Sequence, residues 1–368
     1  MVCEIPPIVN QPEKKTKKFK IYTIISILIS LLVIIGILYF TVDAKTIYYL
    51  SHVQIRYEYF LIAILLNIFS WVLWGLRLQV LSNALDDKLH IGLWESTKIV
   101  IANLFLANIT PALSGGEPLR IYLLKKDGMR LGSATAAILG ERLIDAICLL
   151  ICVPFALFIF KDYLHNTTLT IGLSIGILVF VIFLLIFFYA IKNPEKLKAF
   201  LLFLHKKTSR LFKKKSSQEP KIVNFIEKEV DNFHSSMLFF IGKGKRTLVV
   251  VSILTVAFWA VSFLIASMLL LGLGLPPFFI ESYAAQMLLL IIVTMPTTPG
   301  SSGIAEISVS GLYGVLLGAS NGYLLGVFVL LFRLITYHMN LIAGAIFQHR
   351  LLKSLTSFSF DIFANDKE

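Results

Sequence analysis

Charged side chains occur inside stretches of this chain that are otherwise apolar. The residues concerned are Arg77, Glu117, Arg120, Glu141, Arg142, Asp145, Glu306 and Arg333. Glu306 is the extreme case, because no other charged residue occurs between Ser282 and Phe332. An ionisable group at membrane depth is costly, so each of these residues is expected to have a functional role or a partner in a structural ion pair.

Two glycine- and proline-rich breaks each lead into one of these carboxylates. The first reads Asn108-Ile109-Thr110-Pro111-Ala112-Leu113-Ser114-Gly115-Gly116-Glu117-Pro118-Leu119-Arg120. The second reads Met295-Pro296-Thr297-Thr298-Pro299-Gly300-Ser301-Ser302-Gly303-Ile304-Ala305-Glu306. Backbone N–H and C=O groups that lose their helical hydrogen bonds within the bilayer must find other partners inside the protein. Broken apolar segments in corresponding positions of two halves therefore predict a transport-type site near the bilayer midplane.

The chemistry of the breaks is that of anion binding. Backbone N–H groups at 115–117 and 301–304 are expected to begin returning helices, and helix N-termini beside glycines bind anions. Two such ends converging near the midplane would suit a phosphate-bearing head group. For Glu117 two local alternatives remain: a capping box with Ser114, or Glu117 as the cap of a helix that starts at Pro118.

Glu141 and Asp145 are four residues apart and share one helix face, with Arg142 turned about 100° away. In the functional reading, Arg120 and Arg142 bind phosphate oxygens through their planar forks while the carboxylates hold them in place. In the structural reading, the carboxylates form braces to Arg120 or Arg77. The same choice applies to Arg333, which could simply pair with Glu306. His338 and Asn340 are expected to make hydrogen bonds between helices.

The elements that must hold these residues are transmembrane helices. The chain is 57% hydrophobic with a mean hydropathy of +0.80, which indicates an all-α, polytopic membrane protein. Six stretches are long enough to span: 21–42, 59–81, 133–160, 169–191, 247–272 and 321–347. The membrane domain is thus predicted to cover 21–348.

Charge placement predicts the orientation of these spans. The formal net charge is +12, and Lys and Arg concentrate in the tail 1–20 and in the loop 192–246. The positive-inside rule places this loop, the tail 1–20 and the tail 349–368 in the cytoplasm, for a multi-pass protein of the cell membrane. Contact with anionic lipid explains the basic residues better than nucleic-acid binding, so no nucleic-acid partner is expected. Apolar residues at helical spacing in the loop predict an amphipathic helix, lying either on the membrane or against the protein's own span ends.

The charges also predict two re-entrant elements. Segment 94–109 enters from the cytoplasm, breaks at 110–116 and returns to Lys125 and Lys126. Segment 279–295 enters from outside, breaks at 296–303 and returns through 304–318. Entry from opposite sides is the layout of an inverted repeat; the alternative is eight complete helices, two of them kinked.

Three blocks together resemble the integral-membrane family named after the transmembrane region of lysylphosphatidylglycerol synthase, whose members are also described as flippase-like. They are the run from Asn108 to Arg120, Glu141-Arg142-Leu143-Ile144-Asp145, and the run from Pro296 to Glu306. The resemblance covers about residues 20–350. It implies a helical fold with re-entrant elements and suggests movement of a lipid-linked head group between leaflets. The soluble aminoacyl-transferring domain of such synthases has no counterpart after the last span, so a standalone membrane module is expected.

Three functions remain open. The first is a flippase for an anionic phospholipid or a polyprenyl-phosphate-linked substrate, bound by Asn108, Gly115, Gly116, Glu117, Arg120, Glu141, Arg142, Asp145, Pro299, Gly300, Gly303, Glu306 and Arg333. The second is a scaffold that recruits an envelope enzyme. The third is a membrane-embedded transferase, which is disfavoured because the chain has no nucleotide-binding glycine motif and no metal-ligand cluster. No catalytic residue, cofactor or metal is predicted, and the oligomeric state is left open.

Overall fold

A computed structural model describes residues 44–52, 55–85, 90–110, 115–161, 188–211, 219–242, 244–293 and 303–353, with isolated residues at 35, 39, 174, 178, 181–182, 185–186 and 301. Every regular element within these ranges is helical, which confirms the all-α prediction. The helices are α1 (Ala44–His52), α2 (Tyr57–Leu85), α3 (Leu93–Ile109), α4 (Gly116–Lys126), α5 (Leu131–Phe160), α6 (Pro194–Leu211), α7 (Glu219–Ile241), α8 (Lys245–Gly272), α9 (Phe279–Val293), α10 (Ile304–Asn321), α11 (Leu325–Arg333) and α12 (Met339–Lys353).

Within the described ranges, four helical stretches are long and apolar enough to cross a bilayer: Tyr57–Leu85, Leu131–Phe160, Lys245–Gly272 and Ile304–His349. The first three confirm the predicted spans 59–81, 133–160 and 247–272. The fourth contains the predicted span 321–347 but begins earlier. The predicted span 21–42, the tail 1–20, and most of 169–191 and of the tail 349–368 lie outside the described residues.

The long run from Ile304 is bent where the sequence predicts the start of the last span. Gly318 has φ 61° and ψ −172°, a conformation that favours glycine, and a 3₁₀ turn at Gly322–Leu324 follows. Thr46 on α1 donates a hydrogen bond to the carbonyl of Tyr323 at 2.8 Å. The bend between α10 and α11 therefore follows from the conformation of Gly318 and the 3₁₀ turn, and α1 stabilises it through Thr46.

The centre of the molecule is an antiparallel pair formed by α2 and α8. The amide of Arg56, just before α2, donates to the carbonyl of Gly272, the last residue of α8, at 3.1 Å. Further along the pair, the rings of Trp74 and Phe258 are 5.7 Å apart. The start of each helix therefore lies beside the end of the other.

Each packing contact among the remaining helices of one half of the chain has a counterpart in the other half. The first half is α2–α5 and the second is α8–α12. Helix α3 packs on α12 as α9 packs on α5, α3 on α4 as α9 on α10, and α4 on α5 as α10 on α11. Together with the antiparallel α2–α8 pair, this is the contact pattern of an inverted repeat.

Two apolar cores lie at opposite ends of the α2–α8 pair. The first core contains Leu81 at the end of α2, Leu124 at the end of α4 and Ala134 at the start of α5. The second core contains Leu269 at the end of α8 and Leu317 at the end of α10, with Leu324 just before α11. We call the end with the first core the first face and the other end the second face.

The amphipathic helix predicted in 192–246 packs on the protein. On α7, Phe233, Met237 and Phe240 are buried in the first core, and Val230 on the same helix is also buried. The Gly132 amide, at the start of α5, donates to Glu229 at 2.5 Å. Of the two predicted alternatives, packing against a span end is therefore the one that α7 adopts.

Helix α6 was not predicted as a separate element, and it lies outside α7. Lys198 joins the two helices through an ion pair with Asp231 at 2.8 Å. Hydrogen bonds to Asp231 and Glu195 raise the pKa of Lys198, so the lysine stays charged at neutral pH. On its other side, α6 exposes Phe200 and Phe203 by 56% and 61%.

Candidate functional site

Two ion pairs are buried where α2, α4 and α5 meet. Arg77 on α2 donates to Asp145 on α5 at 2.6 Å, and Arg120 on α4 donates to Glu141 on α5 at 2.7 Å. Both arginine side chains and Glu141 are 0% exposed, and Asp145 is 10% exposed. The spacing of Glu141 and Asp145 thus brings both carboxylates to one face, as the sequence predicts, and each one meets an arginine from a different helix.

Two tryptophans complete this cluster, and the sequence analysis missed both. Trp74 donates its indole N–H to Glu141 at 2.7 Å, and its ring lies under the guanidinium carbons of Arg120 and Arg142 at 5.2 and 5.4 Å. Trp259 on α8 donates to Asp145 at 3.1 Å. A usable signal existed, because an indole N–H inside a span requires an acceptor.

The third arginine of the cluster is the accessible one. Arg142 lies 3.0 Å from Glu117 and 3.5 Å from Asp145, with its side chain 37% exposed. Helix α4 begins at Gly116 with Gly115 as its cap, so Pro118 is its third residue and Glu117 is not the cap. Ser114, the partner in the capping-box alternative, lies outside the described residues. The Glu117 carboxylate instead joins the start of α4 to α5.

The buried arginines have more donors than acceptors. Among the described residues, no acceptor meets Nε or Nη1 of either Arg77 or Arg120. One oxygen of Glu117 also has no donor there. A buried guanidinium N–H left without an acceptor costs free energy, and such groups are rare in native proteins. These N–H groups are the donors of Arg77 and Arg120 that the ion pairs leave unused.

A second, smaller cluster lies at the second break. Glu306 accepts hydrogen bonds from the amide of Gly303 at 2.6 Å and from Arg333 at 2.9 Å. Gly303 has φ +88°, which L side chains rarely adopt, so glycine is favoured at this turn. The predicted Arg333–Glu306 pair is present, and Glu306 also caps its own helix. Pro299 and Gly300 lie outside the described residues.

Tyr337 links the second cluster to the first break. Its ring lies 4.1 Å from the guanidinium carbon of Arg333, and its hydroxyl donates to the carbonyl of Asn108 at 3.4 Å. Tyr337 therefore connects Arg333, the partner of Glu306, to the end of α3, where the first break begins.

The two polar residues that follow Tyr337 have different outcomes. Asn340 confirms its prediction, since it accepts hydrogen bonds from Asn67 and Trp71 on α2. For His338 the prediction is wrong: its ring bonds to the carbonyl of Arg333 in its own helical stretch, 3.1 Å away. A π-helical turn at Leu334–His338 brings these two residues of one stretch together.

Comparison with known proteins gives one family and several relatives. The sequence profile of the family described as lysylphosphatidylglycerol synthase TM region matches residues 27–344. A UPF0104 membrane protein of Archaeoglobus fulgidus is 33% identical over 80% of this chain and 87% of its own length. One of Pyrococcus horikoshii is 27% identical over 89% of this chain and 99% of its own length. No solved structure matches.

Proposed function

Because the chain belongs to the lysylphosphatidylglycerol synthase TM region family, we propose that it moves an anionic phospholipid or a polyprenyl-phosphate-linked head group between the leaflets of the cell membrane. The observation that carries this proposal is the buried cluster of Arg77, Arg120 and Arg142 with its unused guanidinium donors. Phosphate oxygens are suitable acceptors, since charge-assisted hydrogen bonds from arginine to phosphate are strong and directional.

The cluster also has a route by which an anion could enter. Arg142 is partly exposed, whereas Arg77 and Arg120 are fully enclosed. A phosphate that reaches Arg142 first would compete with Glu117 for the guanidinium, and release of Glu117 would loosen the start of α4 from α5. The pair Glu117–Arg142 is therefore proposed as the gate of the site.

Helix lengths support the re-entrant placement of the two helix pairs. At about 1.5 Å per residue, α3 and α4 are about 26 and 17 Å long, short of the roughly 30 Å hydrocarbon core. Leu124, at the end of α4, shares the first core with Leu81, at the end of α2. This shared core supports an α3–α4 pair that leaves from the first face and returns to it. The same reasoning supports an α9–α10 pair at the second face, and the basic residues Lys125 and Lys126 support a cytoplasmic first face.

The test is leaflet exchange in reconstituted vesicles. Purified protein is inserted into liposomes that contain a fluorescent phosphatidylglycerol or a labelled polyprenyl-phosphate sugar, and the outer-leaflet label is quenched over time. We expect exchange faster than in empty liposomes for at least one of these lipids. Arg142→Gln should slow it about tenfold or more, because a hydrogen bond to a charged group contributes about 1.5–3 kcal/mol.

A matched variant separates this effect from a general loss of charge. Arg56→Gln removes an exposed arginine that pairs with Glu58, outside the cluster, and should leave the exchange rate unchanged. Exchange no faster than in empty liposomes with every lipid tested would refute the transport function.

A further inference from the structure

One buried side chain beside the cluster has no partner and no assigned role. Asn103, in the middle of α3, is 1% exposed, and neither its Oδ1 nor its Nδ2 has a hydrogen-bond partner among the described residues. A buried amide without partners is destabilising. Such a residue calls for an explanation in a native protein.

The amide of Asn103 points at the start of α4. A Cβ atom added at Gly116 would lie 1.7 Å from Oδ1 of Asn103, so the glycine lets this amide lie against the start of α4. Gly116 opens the first turn of α4, where backbone N–H groups lack partners within the helix. Glu117 is the next residue and pairs with Arg142, and Arg120 follows one turn later. Asn103 therefore lies at the edge of the arginine cluster.

Two other buried amides of the membrane domain, Asn67 and Gln286, differ from Asn103 in having hydrogen-bond partners. Asn67 donates to the carbonyl of Ile335 at 3.0 Å and to Asn340 at 2.9 Å. In the second half, α9 corresponds to α3, and its buried Gln286 donates to the hydroxyl of Tyr313 at 2.9 Å. Glu306 likewise bonds to its own helix start, whereas one oxygen of Glu117 has no donor among the described residues. The start of α4 and the cluster behind it thus keep several polar groups without partners among the described residues: the Asn103 amide, Nε and Nη1 of Arg120, and one oxygen of Glu117.

We propose that Asn103 binds the hydroxyl groups of the ligand and so selects a hydroxylated phosphate, a polyol phosphate or a sugar phosphate, over a plain phosphate ester. A side-chain amide has both a donor and an acceptor, and adjacent hydroxyls match that pair because each hydroxyl can donate and accept. The free donors of Arg120 would bind the phosphate next to them. This proposal rests on the proposed function for the nature of the ligand. It adds recognition of the hydroxyl groups, which the arginines do not bind.

The test compares two lipids of equal charge. Phosphatidylglycerol carries free hydroxyls on its head group, and phosphatidylpropanol has the same carbon chain and charge without them. Dissociation constants are measured by native mass spectrometry for the wild-type protein, Asn103→Leu and Asn340→Leu. We expect the wild type to prefer phosphatidylglycerol about tenfold, the effect of one or two hydrogen bonds. Asn103→Leu should bring the ratio to about one.

Asn340→Leu is the matched control, because this half-buried amide already bonds to Asn67 and Trp71. It should reduce stability and keep the tenfold ratio. A wild-type ratio of one, or a ratio that persists in Asn103→Leu, would overturn the assignment of Asn103.

Two further measurements complete the test. One distinguishes a lipid head group from a free polyol phosphate, and the other distinguishes failure of the Asn103 proposal from failure of the transport proposal. Glycerol 1-phosphate that binds as tightly as phosphatidylglycerol, with the same dependence on Asn103, would assign the site to a free polyol phosphate and overturn the lipid head group. Selective binding without leaflet exchange would contradict transport and support the role of Asn103. Exchange without selectivity would contradict the role of Asn103 alone.

Discussion

At the scale of single residues, the arginines of the cluster differ in how deeply the carboxylate that each one pairs with is buried. Arg120 and Glu141 are both fully enclosed, and Arg142 is 37% exposed beside a partly exposed Glu117. Removing one partner of a buried pair leaves an uncompensated charge in a low-dielectric environment. The same loss near water is far milder, because solvent screens the remaining charge.

We therefore predict that Arg120→Leu lowers the unfolding free energy by about 3–5 kcal/mol, and that Arg142→Leu lowers it by about 1 kcal/mol or less. Unfolding in mixed detergent micelles, titrated with a denaturing detergent, measures both. The double variant Arg120→Leu/Glu141→Leu should recover most of the loss, because it removes both charges. A double variant as unstable as Arg120→Leu alone would show that the ion pair is not the cause.

The tryptophans explain why this residue-scale arrangement escaped the sequence analysis. Charged residues in apolar segments are visible in any hydropathy plot, whereas Trp74 and Trp259 look like ordinary apolar residues of a span. Their indole N–H groups bond to Glu141 and Asp145. Because the partners come from different helices, the sequence does not reveal which carboxylate each indole meets.

At the scale of elements, the loop 192–246 contains two amphipathic helices, α6 and α7, where one was predicted. Helix α7 buries its apolar face on α5 in the first core. Helix α6 presents Lys196, Phe200 and Phe203 away from α7. Aromatic and basic side chains on one face are typical of helices that lie at a membrane surface. Hydropathy alone could not distinguish the two helices, because both are amphipathic.

We predict that the outer face of α6 contacts lipid. A spin label at Phe203→Cys, in a chain with Cys3, Cys148 and Cys152 changed to alanine, should collide more with oxygen dissolved in the bilayer than with a water-soluble nickel chelate. Glu227→Cys, at an exposed position of α7, is the control and should show the reverse. Equal behaviour at both positions would place α6 in water and contradict the prediction.

At the scale of the whole molecule, the antiparallel α2–α8 pair sets the arrangement of everything else. Each half packs its last helix against a short helix of the other half, α12 against α3 and α5 against α9. The chain between the halves must also return from the end of α5 to the first face. Helix α5 is about 45 Å long and starts at that face. The carbonyl of Ile191 bonds to His234 of α7, the helix that packs on the start of α5. A crossing within 169–191 would supply that return, and it stays a prediction because most of the segment lies outside the described residues.

This arrangement predicts which loops share a side of the membrane. In the cysteine-free background, Lys126→Cys and Lys245→Cys, both exposed and at the first face, should react with a membrane-impermeant maleimide only from the cytoplasm. Pro276→Cys and Ser320→Cys, exposed at the second face, should react only from outside. Labelling of Lys126→Cys and Pro276→Cys from the same side would exclude the inverted arrangement.

The sequence by itself determined the class of protein, three of the long helices and most of the polar site. These follow from local properties, because about twenty apolar residues span a bilayer and a charge within them needs a partner. Only the tertiary structure decided which carboxylate meets which arginine, that Trp74 and Trp259 join them, and that Asn103 is left without a partner beside Gly116. Those relations depend on the crossing of helices far apart in the chain, and no spacing along the sequence encodes which side chains meet there.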